Sequence, residues 1–170
     1  MSGISINTAL KSATACTIKA HRGTAEESPT QDAWTDCDGF AIVTSDTAGT
    51  GLTLNVDTKT INCTLTGLYK FGGCLHYQNN SGGDREPLIA CRILVNGTTE
   101  AKCSQRAKKL TQKNNGEDTL SYNGSVYLES GNSFTLQYYC DDSTIDFTSN
   151  AVFDNVVAWT LWLNFIGLGD

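Results

Sequence analysis

From Cys16 onward, apolar or β-branched residues recur at every second position in short runs, and clusters of Gly, Asn, Ser and Asp separate the runs at intervals of roughly ten to fifteen residues. A period of two is that of a strand with one face buried, so the pattern predicts an all-β chain. Strands are expected at 16–21, 33–43, 52–56, 60–65, 67–77, 87–96, 98–105, 118–128, 132–140 and 154–166. The connections have their own chemistry: Asn79-Asn80-Ser81-Gly82-Gly83 is a flexible loop, Asn96-Gly97 suits a two-residue type I′ hairpin, and Asn114-Asn115-Gly116 supplies positive φ. Helical periodicity is nearly absent, because the best stretch, Ala101 to Gln112, has Leu110 as its only large apolar residue. No internal repeat or linker interrupts the pattern. The expected architecture is one jelly-roll β-sandwich over residues 15–170, two antiparallel sheets of about ten strands. Residues 1–14 show no clear period and read as an arm that orders against a partner.

Parity within two of these strands bears on assembly. In 67–77, Tyr69, Phe71, Leu75 and Tyr77 share one face, and Lys70, Gly72, Cys74 and His76 share the other. In the last strand, Trp159, Leu161, Leu163 and Phe165 form one face, while the opposite face still carries Trp162 and Ile166. A strand apolar on both sides needs cover on both sides, and a two-layer sandwich supplies one. The second cover is either a neighbouring chain or the N-terminal arm. Burying an indole such as Trp162 removes about 200 Å² from water, on the order of 5 kcal/mol per chain as an upper estimate, which favours an oligomer.

Composition narrows the classes. The 170 residues carry a net charge of −6 with 18% charged and 39% hydrophobic residues, too little charge for a disordered chain. The one long apolar stretch, Val156 to Leu168, contains Thr160 and Asn164 and falls short of the roughly 20 residues of a spanning helix, so no membrane segment is expected. The acidic balance argues against general nucleic-acid binding, which requires Lys and Arg on a presented face. The opening MSGISINTALKSATAC lacks the basic leader and continuous apolar core of a secretory signal, which points to synthesis in a cytosol. Seven cysteines, at 16, 37, 63, 74, 91, 103 and 140, include no CxxC pair, and several fall on alternating apolar faces, where a reduced thiol acts as a small hydrophobe. No cofactor is implied.

Candidate chemistry is thin. His21 and His76 lie in different strands, and no Ser or Cys near either sits in a nucleophile motif. The expectation is therefore no enzyme, no catalytic residue and no metal. Asp141, Asp142 and Asp146 share one loop without EF-hand spacing, too few oxygens for calcium by themselves. Lys102, Arg106, Lys108, Lys109 and Lys113 concentrate positive charge in one segment of an acidic chain. This segment is either a patch that docks on an acidic protein surface or a basic loop with no partner. It has no aromatic residue for base stacking. Sequons begin at Asn62, Asn79, Asn96 and Asn123 and read as coincidences of an Asn- and Thr-rich composition.

The run TINCTLTGLYKFGG, followed by CRILVNG, SYNGSVYLESGNSFTLQYY and a hydrophobic last strand, resembles the jelly roll of tumour necrosis factor and complement globular heads over roughly 150 residues. The matching residues are Gly67, Tyr69 and Phe71 in a Gly-x-Tyr-x-Phe strand, the Asn96-Gly97 hairpin, and Leu128, Gly131 and Asn132 in a late turn where Asn132 replaces the usual Asp. The last strand, VVAWTLWLNFIGL, lacks the Phe-x-Gly-Phe pattern common in the family. The upstream piece around Trp34 is similar to phage-encoded members. The resemblance implies a homotrimer in which Gly72, Cys74, His76, Tyr127, Trp162 and Ile166 stand at the subunit contacts. It further implies a virion protein on the outer capsid surface that decorates the head by binding major capsid protein, or else a receptor-binding tip on a tail or head fibre. Some relatives bind calcium near the trimer apex, which would place such a site at 141–146.

Overall fold

The computed structural model describes residues 17–22, 28–42, 51–80, 86–101, 106–109, 116–147 and 159–167. The expected arm, Cys16, Cys103, Lys102, Lys113 and the Asn114-Asn115 turn lie outside these residues. Among the described residues, thirteen strands form two antiparallel sheets. Sheet A places β10 (Gly116–Leu128), β6 (Gly67–Asn79), β13 (Trp159–Gly167), β1 (Thr17–Arg22) and β3 (Phe40–Ile42) side by side, with β12 (Ile145–Phe147) also on β6. Sheet B runs β4 (Leu52–Asn55), β5 (Thr60–Cys63), β11 (Ser133–Cys140), β7 (Leu88–Val95) and β8 (Thr99–Glu100), with β2 (Ala33–Asp36) on β11 and β9 (Arg106–Lys109) on β7. This is the jelly-roll sandwich that the alternation predicts.

The core lies between the sheets and follows the parity of the sequence. Tyr69, Phe71, Leu75 and Tyr77 of β6 and Trp159, Leu161, Leu163 and Phe165 of β13 are buried against Ile89, Cys91 and Ile93 of β7 and Phe134, Leu136, Tyr138 and Cys140 of β11. Phe71 of sheet A meets Phe134 of sheet B at 5.4 Å between ring centroids and ties the layers together, while Tyr69 meets Phe165, its register partner within sheet A, at 5.2 Å. Cys37, Cys63, Cys91 and Cys140 are buried and reduced. Burial pushes Cys91 and Cys140 up to about 12, so both stay protonated and unreactive at neutral pH. Iodoacetamide applied to the folded protein at about pH 8 should leave these four cysteines unmodified by mass spectrometry. Rapid alkylation of any of them would contradict the packing.

Three local features depart from the sequence expectation. The run 33–43 is two strands, β2 in sheet B and β3 in sheet A, and the chain changes sheets at Gly39, whose φ of 62° is open to glycine at little cost. Of the segment expected as a strand over 98–105, Thr99–Glu100 pairs with β7, residues 102–105 lie outside the described ones, and a further strand forms at Arg106–Lys109. A short strand, Ile145–Phe147, follows the acidic loop and extends sheet A. The hairpin at Asn96-Gly97 forms as expected, with φ of 53° and 68° at its two central residues, as a type I′ turn requires. Asn132 serves the turn after β10, where its Oδ1 accepts the Glu129 amide at 2.8 Å.

Candidate functional site

Residues paired across antiparallel strands point to the same face, so the register identifies what the outer side of sheet A presents. Gly72 pairs with Trp162 and Asn123, Cys74 with Thr160 and Ser121, His76 with Thr119, and Leu68 with Tyr127. The structure therefore places Gly72, Cys74, His76, Tyr127 and Trp162 on one face. Ile166 sits in the irregularity between Phe165 and Gly167, beside Leu68. All six residues of the expected contact surface thus come together.

The character of the face differs from the parity argument in one respect. Trp162 does not stand free in solvent. A Cβ at Gly72 would fall 2.6 and 2.8 Å from Cζ2 and Cε2 of the indole, so the ring lies down on the bare backbone of Gly72 and is already half-buried within a single chain. Less apolar surface remains there than the sequence implies. It is concentrated instead at one end of the face, where Tyr127 is 53% exposed, Ile166 44% and Leu68 40%. Leu68 was not singled out from the sequence, although it lies in the same parity class as Gly72 and His76. Side by side on β10, β6 and β13, these three residues form an apolar row.

At the other end of the face the surface is polar. His76 is only 7% exposed, and its Nε2 lies 3.7 Å from Glu117 Oε2. Between the two ends the Cys74 backbone amide donates to Thr160 Oγ1 at 3.1 Å, and the Cys74 sulfur is 3.3 Å from the same hydroxyl. Asn164 Oδ1 is buried without a hydrogen-bond partner.

The basic segment is divided by its own strand. Arg106 and Lys108 turn toward β10, where Arg106 Nη2 donates to the Asn123 carbonyl at 3.3 Å and Lys108 pairs with Asp118. These contacts join an edge of sheet B to an edge of sheet A. Partial burial would raise the Asp118 carboxyl, but the hydrogen bonds from Lys108 and the Thr119 amide outweigh it and hold the group below its ordinary range. Lys109 is exposed on the opposite face of the strand.

The acidic loop is occupied by protein donors. Asp141 accepts the Leu88 amide at 2.7 Å, Asp142 accepts the amide and hydroxyl of Thr144 at 2.9 and 2.7 Å, and Asp146 accepts Ser28 and Asn80 at 2.5 and 2.6 Å. Among the described residues no group of three or more His, Cys, Asp and Glu converges as a metal site.

No protein-family model and no curated protein matches the chain. Solved structures do. The chain is similar to the Eiger TNF of S. frugiperda, with a TM-score of 0.63 and 14% sequence identity over 92% of this chain and 95% of that one. At that identity the likeness establishes the fold, a TNF-like jelly roll.

Proposed function

We propose that this chain is a non-enzymatic structural protein that works as a homotrimer and decorates the outer surface of a viral head by binding major capsid protein. The observation that carries the assembly half of this reading is the row Tyr127, Leu68 and Ile166, exposed together on the outer face of sheet A. Covering such a row with sister copies removes on the order of 200 Å² of apolar surface per chain, worth about 5 kcal/mol as an upper estimate. A three-fold arrangement repeats that gain at each of its contacts. The capsid half rests on the sequence resemblance to phage-encoded jelly rolls. Linked contacts from three chains would hold firmly even where each is weak, because the second and third form at high effective concentration.

The test adds purified protein to heads assembled without it. Saturable binding at three chains per site is expected, with the labelled protein displaced by a large excess of unlabelled protein. Absence of binding to heads, with binding to host cells in its place, would overturn the decoration role in favour of a receptor-binding tip.

A further inference from the structure

The solvent side of a sandwich sheet ordinarily carries polar side chains. Sheet B departs from this at its outer face. Trp34 of β2 and Tyr139 of β11 are register partners whose ring centroids lie 5.5 Å apart, and both are only half-buried. Arg92 of β7 holds its guanidinium 4.2 Å from the Trp34 ring centroid.

The polar groups around the rings form a line across four strands. Arg92 Nε donates to Gln137 Oε1 at 2.8 Å, Gln137 Nε2 donates to Asp36 Oδ1 at 2.7 Å, and Arg92 Nη1 lies 3.7 Å from Glu100. Tyr139 Oη donates to Asp32 Oδ1 at 3.0 Å, a bond that also pushes the phenol above its usual range, and Asp32 itself holds a left-handed φ of 59°. Rotamers fixed in this way lose little further freedom when a ligand arrives. Among the described residues, Oδ2 of Asp32 and Oδ2 of Asp36 have no donor.

We propose that this face is a carbohydrate-binding platform for a neutral glycan, with Tyr139 and the part of the Trp34 ring that Arg92 leaves uncovered as the stacking surface and Asp32, Asp36 and Arg92 as its hydroxyl-binding rim. A pyranose ring has a C–H face and a margin of hydroxyls. Aromatic rings take the first by dispersion, and fixed carboxylate and guanidinium groups take the second by charge-assisted hydrogen bonds. Other ligand classes fit less well. The cation site on Trp34 is already filled by Arg92, and Asp32, Asp36 and Glu100 on a chain of net charge −6 repel phosphate. The platform lies on the opposite side of the sandwich from the Tyr127 row, so it is complete within one chain and stands apart from the assembly reading.

The test is a printed array of neutral oligosaccharides, followed by saturation-transfer NMR of the full chain with methyl glycosides of glucose, galactose, mannose and N-acetylglucosamine. At least one glycan is expected to bind, quenching tryptophan fluorescence. Asp36→Asn should weaken it roughly tenfold and Tyr139→Phe severalfold, with melting temperatures held within a few degrees. Asp36→Asn preserves the shape of the side chain and so separates lost recognition from lost folding. No binding of any neutral glycan at about 10 mM, or binding indifferent to Asp36→Asn, overturns the proposal. Measuring the mass of the assembly on the same samples distinguishes that failure from failure of the trimer.

Discussion

Trp159→Ala is expected to lower the stability of the fold by about 3–5 kcal/mol, the range for removing a large buried aromatic side chain. Trp159 is fully buried at the start of β13 and bridges the two sheets. Its ring stacks on Tyr138 of sheet B at 5.8 Å and meets Phe147 at 6.1 Å and Phe40 at 6.4 Å. Its Nε1 donates to the Asp38 carbonyl at 3.0 Å, just before the chain crosses from β2 to β3. The substitution therefore opens a cavity among three aromatic rings and also removes a hydrogen bond that holds the sheet-switching segment. Urea unfolding at a fixed chain concentration checks this, since an assembled protein has a concentration-dependent midpoint. A loss below about 1 kcal/mol would mean that the layers do not meet at this residue as described.

The second large effect falls on assembly rather than folding. Tyr127→Glu and Leu68→Glu are expected to leave the sandwich folded and reduce the proposed trimer to single chains. Both side chains are substantially exposed on the outer face of sheet A and contribute little to the core. A carboxylate placed in the apolar row would have to lose its hydration without a partner on association. In a three-fold assembly the change enters every contact, so a loss of about 2 kcal/mol per contact shifts dissociation by orders of magnitude. Size-exclusion chromatography with light scattering reads the mass, and far-ultraviolet circular dichroism confirms the fold. Unfolding by both variants would show that the row is structural; an unchanged trimer would remove it from the contact surface.

The strands that were legible in the sequence are those whose burial alternates. In β6, Tyr69, Phe71, Leu75 and Tyr77 all face the core, and parity alone places them there. The Asn96-Gly97 hairpin was legible because its two residues have a backbone preference that few others share. The segments that were missed carry no such local signal. Arg106–Lys109 reads RAKK and has no apolar alternation, yet it is a strand because it pairs with β7 at the sheet edge while Asp118 and the Asn123 carbonyl receive its cations. Ile145–Phe147 is three residues long, and its pairing with Tyr77–Asn79 is wholly non-local.

The candidate surface was legible as a set of residues and less so as a distribution of exposed area. Parity puts Trp162 on the outer face but does not reveal that Gly72, its register partner, lets the indole lie flat. The break of 33–43 had a signal in Asp38-Gly39, a turn pair embedded in an apolar run. The sheet B platform had none, because Trp34, Arg92 and Tyr139 are far apart in the chain and meet only through register.

Sedimentation equilibrium of the unaltered chain, run from micromolar to nanomolar concentration, is the most direct test of the assembly on which the functional reading depends. A homotrimer is expected to sediment as a single species of three times 18.3 kDa that persists to sub-micromolar concentration. A stable 18.3 kDa monomer across the whole range, with Tyr127 and Leu68 open to solvent, would contradict it.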